Sequence, residues 1–342
     1  MKKYQIVWVE NTRKGRMIEM ASSKAPHDVS VIARECGYID KNIVVPRIKN
    51  KLLSVVVRAF RLVRAVRRCD KNSKILLQYP CFNERIFQYV IRFISDRKFV
   101  TVVHDMNSIR ENGKLSKSEI SSLSLFDELI VHTREMEECL KPHLRASVRF
   151  HVLGCFPYLT SSVCDTPILG NEVCFAGNID KSAFLKHLIP VLGNIKLNLY
   201  GHMNNVIPLS GNAKYCGVFK PEDISALRGN WGLVWDGDSI MSCSGTWGEY
   251  LRIIAPHKFS LYIAACIPVI VWDQSAMARI VKDKKIGLTV SSLCDMEKVI
   301  ASVSNEQYLK MLTALQELKN KLISGQQLKR FLISITTEDV PN

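Results

Sequence analysis

Residues 232–272, GLVWDGDSIMSCSGTWGEYLRIIAPHKFSLYIAACIPVIVW, decide the fold, because two apolar runs bracket a polar loop and a helix that opens at Pro256-His257-Lys258. The run 232–235 is short and apolar and stops at acidic residues, while 269–272 is β-branched and follows Ile267-Pro268. Both are expected as strands of a parallel sheet covered on both faces. The helix between them is expected over 258–265. Pro256 suits a first turn, whose amide hydrogens have no partner within the helix. Those amides and the helix dipole attract an anion and Lys258 adds a full charge, which points to a phosphorylated ligand.

On the N-terminal side, strand-like runs at 5–9, 42–45, 74–78, 99–103, 128–131 and 149–153 alternate with helix-like stretches. A stretch rich in turn formers follows, FPYLTSSVCDTPILGNE, before the alternation restarts at 173–176, 197–200, 232–235, 269–272 and 287–290. Alternation of this kind implies parallel sheets with crossover helices. The expected fold class is α/β, with two Rossmann-like domains facing across a cleft. Its parts are an N-terminal domain over 1–155, a linker over 156–170, a second domain over 171–325, and a closing helix and tail over 326–342. Such tandem domains hold ligands at the carboxyl ends of their strands, where helix N-termini converge. Leu309, Leu312, Leu315, Leu318 and Leu322 recur at near-helical spacing and are assigned to packing.

With 342 residues, 47% of them apolar and 23% charged, the chain has material for two cores. Its 11 cysteines are odd in number, scattered, and never in Cys-x-x-Cys spacing, which argues against a disulfide framework or a zinc site and fits a reducing cytosol. No run reaches the length of a membrane span. Charge is uneven: residues 1–150 carry 29 Lys and Arg against 16 Asp and Glu, a net +13 out of the total +15. The densest part runs from Arg47 to Arg68, where Arg58, Arg61, Arg64 and Arg68 stand at helical spacing beside Leu52, Val56, Phe60, Val63 and Val66. Either this basic amphipathic helix covers a sheet and solvates its outer face, or it meets an anionic membrane surface. Nucleic acid is disfavoured, because aromatic residues do not interleave with the basic run as a base-stacking surface requires.

Several residues compete for chemical roles. Asp236-Gly237-Asp238 follows a strand, where an Asp-x-Asp pair can hold a divalent ion bridging two phosphates. A helix N-terminus with Lys258 already supplies positive charge, so the metal-free reading is preferred; Asp236, Asp238 and Ser239 then bond ligand hydroxyls or simply stabilise a turn. Phe175-Ala-Gly-Asn-Ile-Asp-Lys181 ends a strand with Gly177, which allows close approach of a ligand to backbone, followed by Asn178 and by Lys181 within reach of a phosphate. His104-Asp105 ends the run 99–103, a place where α/β folds display catalytic groups, and one of the two is the candidate base; the alternative is that they only pair or cap. No Gly-x-Ser-x-Gly, P-loop or Gly-x-Gly-x-x-Gly sequence supports a hydrolase, an NTPase or a dehydrogenase.

Residues 175–181, 215–227, 232–239, SCSGTWGEYL (242–251) and 256–271, with VVHDMNSIR (102–110) more weakly, resemble a family of bacterial sugar transferases. It includes enterobacterial O-antigen galactofuranosyltransferases and the streptococcal glucosyltransferase that extends glycans on serine-rich adhesins. The resemblance implies the two-domain GT-B fold and a nucleotide-sugar donor used without a metal or other cofactor. It implies that Lys181 and Lys258 hold the diphosphate, that Phe219 and the backbone before Pro221 meet the uracil, and that Ser260 caps the phosphate-binding helix; His257, which opens that helix, is a further nucleotide-sugar-binding candidate. Phe219 stands where some relatives have tyrosine, and Lys181 where some have arginine. The run Asp236 to Ser239 followed by SCSG is closer to the galactofuranosyl branch.

Together these readings imply a glycosyltransferase that is cytoplasmic and peripheral on the inner face of the membrane. It would move galactofuranose from UDP-galactofuranose to a lipid-linked oligosaccharide in O-antigen or surface polysaccharide synthesis. A UDP-glucose-dependent glucosyltransferase acting on a glycoprotein or other glycan, and a non-catalytic nucleotide-sugar-binding partner subunit, stay open, as does homo-oligomerisation.

Overall fold

The computed structural model describes residues 2–10, 21–45, 48–80, 84–94, 96–205, 207–209 and 211–337. Arg47 and residues 338–342 of the expected tail lie outside them. The chain divides into two compact units, Met1–Leu153 with Gln326–Asn342, and Gly154–Gly325.

The first unit holds strands β1 Lys3–Glu10, β2 Ile39–Val45, β3 Lys74–Tyr79, β4 Lys98–Val103, β5 Glu128–Val131 and β6 Arg149–Val152, all parallel, in the order β2-β1-β3-β4-β5-β6. Apolar runs such as Leu129, Ile130 and Val131 are fully buried, as a sheet covered on both faces demands. The helix Gln326–Thr337 returns to this unit. Its backbone carbonyls accept bonds from buried Lys74 at Ile335 and from Tyr38 Oη at Leu332, and Lys329 pairs with Glu35 at 2.7 Å. Lys74 is itself 3.5 Å from buried Glu128, which also takes Arg149 at 2.6 Å and His151 at 2.9 Å.

The second unit repeats the plan with β7 Glu172–Ala176, β8 Lys196–Tyr200, β9 Ala213–Tyr215, β10 Trp231–Val234, β11 Val269–Trp272 and β12 Gly287–Val290, in the parallel order β12-β11-β10-β7-β8-β9. Eleven of the twelve strands among the described residues coincide with apolar runs in the sequence. The short β9 does not, because three residues, none of them buried, carry no periodicity. Residues 156–170 lie within the second unit, where Tyr158 Oη donates to Pro221 O at 2.8 Å and Thr160 Oγ1 to Glu222 O at 2.9 Å. Helix Asn305–Ile323 begins with a capping box between Ser304 and Gln307 and buries Leu312, Leu315 and Leu322, while Leu309 is exposed.

The basic helix occupies Lys51–Arg67. Its inward residues are Leu62, Ala65 and Val66; Leu52, Val56 and Phe60 are exposed, so only part of the expected apolar face covers the sheet. Arg64 and Arg68 are exposed, whereas Arg58 and Arg61 are half-buried. Arg58 shares its side of the helix with Leu62 and Ala65, four and seven residues on.

Candidate functional site

In the second unit the strand order reverses between β7 and β10, the two strands whose carboxyl ends carry Gly177 and Asp236. These neighbours pair only at Trp231 with Val173 and Gly232 with Cys174. Beyond that point Tyr262, from the helix His257–Ala264, supplies bonds that the ladder lacks: its Oη accepts from Ala176 N at 2.8 Å and lies 3.2 Å from the carbonyls of Cys174 and Leu233. Burial pushes the Tyr262 phenol well above its ordinary pKa, so the hydroxyl keeps its proton and remains a donor. Gly232 makes room for the ring, since a Cβ there would fall 2.4 Å from Tyr262. The reversal point of an α/β sheet, at the carboxyl ends of its strands, is the usual place for a ligand.

Lys258 stands one turn before Tyr262 on the same helix face and reaches both strands. Its Nζ donates to Trp235 O at 3.1 Å, lies 3.9 Å from Asp236 Oδ2, and sits 4.7 Å from the Phe175 ring centroid. A Cβ added to Gly177 would lie 3.9 Å from the same ammonium and 3.2 Å from Phe175. Gly177, Asp236 and Lys258 therefore lie together at the carboxyl ends of β7 and β10. The turn after Gly177 is fastened to the end of β8, with Gly177 N donating to Tyr200 O at 2.9 Å and Ile179 N to His202 O at 3.0 Å. Gly201, at φ +132°, makes this approach possible: a Cβ there would be 1.8 Å from Gly177 O.

The remaining residues are placed as follows. Asn178 caps the short turn Ile179–Lys181, its Oδ1 accepting from Lys181 N at 3.1 Å. Lys181 is exposed, with Nζ 5.9 Å from the Trp247 ring centroid. Asp236 Oδ1 accepts from Gly237 N at 3.1 Å, so one carboxylate oxygen serves its own turn while the other faces Lys258. Asp238 is exposed and borders Gly245 at the start of the helix Gly245–Tyr250, and Ser239 Oγ accepts from Met241 N at 3.0 Å. No three His, Cys, Asp or Glu side chains among the described residues are grouped to hold a metal ion. His257 stacks on Tyr158 at 4.9 Å. Phe219 is half-buried and meets Tyr200 edge-on at 5.8 Å, and Pro221 O already accepts from Tyr158 Oη. Ser260 does not cap the helix: Pro256 occupies that position without a side-chain bond, and the Ser260 hydroxyl lies buried three residues inside the helix, after His257, without a hydrogen bond among the described residues. The helix start thus has no side-chain cap; Phe259 N donates to Pro256 O at 2.9 Å, and the positive end of the helix dipole lies beside Lys258.

In the first unit His104 follows β4 and its Nε2 lies 2.6 Å from Gln78 Oε1. Gln78 Nε2 donates to Pro26 O at 3.1 Å, and because a carbonyl can only accept, the amide orientation is fixed. His104 Nε2 must then carry the hydrogen, and the basic lone pair of the neutral ring falls on Nδ1. Asp105 is ion-paired with Arg110. Tyr262, Gly201 and Gln78 are not legible in the sequence: a buried tyrosine in an apolar helix, a lone glycine after a strand, and a glutamine inside a strand carry no local signal.

Residues 6–150 match the glucosyltransferase 3-like N-terminal domain and residues 173–335 the glucosyltransferase 3-like C-terminal domain. Among characterised relatives, the chain is 29% identical to the beta-1,6-galactofuranosyltransferase WbbI of Escherichia coli K12, over 77% of this chain and 80% of that protein. It is 24% identical to glucosyltransferase 3 of Streptococcus gordonii, over 92% and 93%. Among solved structures, sucrose-phosphate synthase from Thermosynechococcus elongatus has a similar fold, with a TM-score of 0.62, 10% identity, and coverage of 98% of this chain and 99% of that one. The fold is GT-B.

Proposed function

The chain belongs to the glucosyltransferase 3-like family and is a glycosyltransferase, and we propose that it moves galactofuranose from UDP-galactofuranose to a hydroxyl of a lipid-linked glycan. The observation that carries this reading is Lys258 at the uncapped start of the helix His257–Ala264, beside Gly177, in the crevice between β7 and β10. A diphosphate placed there would meet the helix amides and the ammonium, with Gly177 admitting it close to the backbone. Lys181 lies on the neighbouring turn as a second cation, and Phe219 offers an aromatic edge for the uracil. Asp238 and Ser239 border the same loop and suit sugar hydroxyls.

In the reaction the acceptor oxygen bonds to the anomeric carbon while the carbon–oxygen bond to the diphosphate breaks, and UDP leaves with the electron pair. The acceptor proton passes to a base, assigned to His104 Nδ1 with Asp105 beside it. Charge that grows on the leaving diphosphate is stabilised by Lys258, Lys181 and the helix amides rather than by a metal. Activity is accordingly expected to survive EDTA; loss on chelation with recovery on manganese would restore the Asp-x-Asp reading.

Glucose from UDP-glucose is the second reading, favoured by the longer span shared with the Streptococcus gordonii enzyme. The deciding experiment incubates the purified chain with UDP-galactofuranose, UDP-galactopyranose and UDP-glucose, with and without lipid-linked acceptor, and follows UDP release. Acceptor-dependent turnover of the furanose donor alone supports the proposal. Preference for UDP-glucose overturns the donor, and no turnover with saturable UDP binding would make the chain a non-catalytic partner.

A further inference from the structure

The first unit carries a face that neither its own core nor the sugar chemistry uses. On the helix Lys51–Arg67, Leu52 is 71% exposed and Phe60 65%, with Leu53 and Val56 between them also exposed. On the adjoining helix Glu84–Phe93, Tyr89 is 75% and Phe93 69% exposed. Side chains of this kind are normally the first to be covered, and six of them on two packed helices make a patch rather than scattered exceptions. Spacing aligns them: Leu53, Val56 and Phe60 continue along one stripe into exposed Arg64 and Arg67, and Tyr89 shares its face with exposed Arg85 and Arg92. The Arg67 guanidinium lies 5.0 Å from the Phe93 ring centroid and joins the two stripes. The helix Lys51–Arg67 contains no acidic residue.

We propose that this face docks the enzyme on an anionic lipid bilayer, with Leu52, Leu53, Val56, Phe60, Tyr89 and Phe93 entering the interfacial layer and the arginines contacting lipid phosphates. The occupant follows from charge. A second copy would bring one cluster of arginines against another, whereas a negatively charged bilayer complements both the local cluster and the net +13 of residues 1–150. Aromatic and aliphatic side chains flanked by arginine also match the layer where headgroups meet acyl chains. Among the described residues no helix is long and apolar enough to cross a membrane, so attachment of this kind would be from the surface. The inference stands independently of the donor sugar.

The test uses the full chain with vesicles of phosphatidylcholine alone and of phosphatidylcholine with phosphatidylglycerol, separated by flotation. Binding to the anionic vesicles, weakened by salt and much lower on phosphatidylcholine alone, is expected. Arg85→Ser with Arg92→Ser should weaken partitioning about 25-fold, at about fivefold for each arginine. Phe60→Ser with Tyr89→Ser and Phe93→Ser should abolish stable binding while circular dichroism and UDP binding stay as in the parent. Equal binding to both vesicle types, absence of binding to either, or unchanged binding by the triple variant would overturn the proposal. A triple variant that turns a dimer into a monomer and still floats with the vesicles would assign the face to a second copy instead.

Discussion

Replacing Lys258 by alanine tests the proposed donor site most directly. The ammonium lies 3.9 Å from Asp236 Oδ2, and at an effective dielectric of about 20 two unit charges at that distance interact by about 4 kcal/mol. If between half and all of a unit charge develops on the leaving diphosphate at a similar distance, the ammonium lowers the barrier by about 2–4 kcal/mol, or about 30- to 900-fold in kcat. Asp236 sharpens the effect, because without its partner it would face the diphosphate as an uncompensated negative charge. The fold should tolerate the change. The structural loss is chiefly the 3.1 Å bond to Trp235 O, about 1 kcal/mol, which lowers the unfolding midpoint by roughly 2–4 °C in a unit of this size. Turnover followed by UDP release, beside a thermal unfolding curve, separates the two effects. A Lys258→Ala enzyme that is fully folded and turns over within about threefold of the parent would refute the assignment.

Gly177→Ala should leave the unfolding midpoint nearly unchanged while raising the donor KM several-fold, since the added Cβ needs only a small shift of the Phe175 ring at 3.2 Å but projects toward Lys258 at 3.9 Å; an unaltered KM would remove Gly177 from the site. Tyr262→Phe leaves the buried Ala176 amide without its acceptor and should cost roughly 1–3 kcal/mol in chemical denaturation, with weaker UDP binding by calorimetry as the crevice relaxes. Glu128 gives the first unit an acid-sensitive joint. Burial opposes its ionisation, but His151, Arg149 and Lys74 outweigh burial and hold its pKa below the ordinary glutamate value. A depressed carboxylate pKa stabilises the fold above the unfolded-state value of ~4.3 and loses that stabilisation as pH falls through the folded-state value. Glu128→Gln should therefore lower stability at neutral pH by roughly 3 kcal/mol and flatten its dependence on pH at the acid end, which denaturation at a series of pH values would show.

Much of this architecture was legible locally. Buried parallel strands announce themselves as apolar runs, so β10 and β11 and the helix opening at His257 could be placed within a residue or so. Lys258 and Gly177 were legible for a related reason: a strand end, a glycine and a helix start are each written in consecutive residues. The role of Ser260 was misread because one hydroxyl near a helix start is compatible with a cap or with a buried interior position, and only the position of Pro256 distinguishes them. The basic helix was legible as basic and amphipathic, with its apolar side open to a sheet or to a membrane surface; the structure buries Leu62, Ala65 and Val66 and exposes Leu52, Val56 and Phe60. Periodicity gives a face, and it does not say whether anything lies opposite that face.

The class of fold, the alternation of strands and helices and the residues at strand ends are written in side-chain patterns over five to fifteen neighbours. Packing of the folded chain places β7 beside β10, sets Tyr262 across them where their pairing stops, lets Gly201 admit the turn at Gly177, and puts Gln78 against His104. It also decided that the helix Gln326–Thr337 returns to the first unit. Each of these joins residues dozens to hundreds of positions apart, and such contacts follow from how a chain crosses over and packs rather than from any property of adjacent residues.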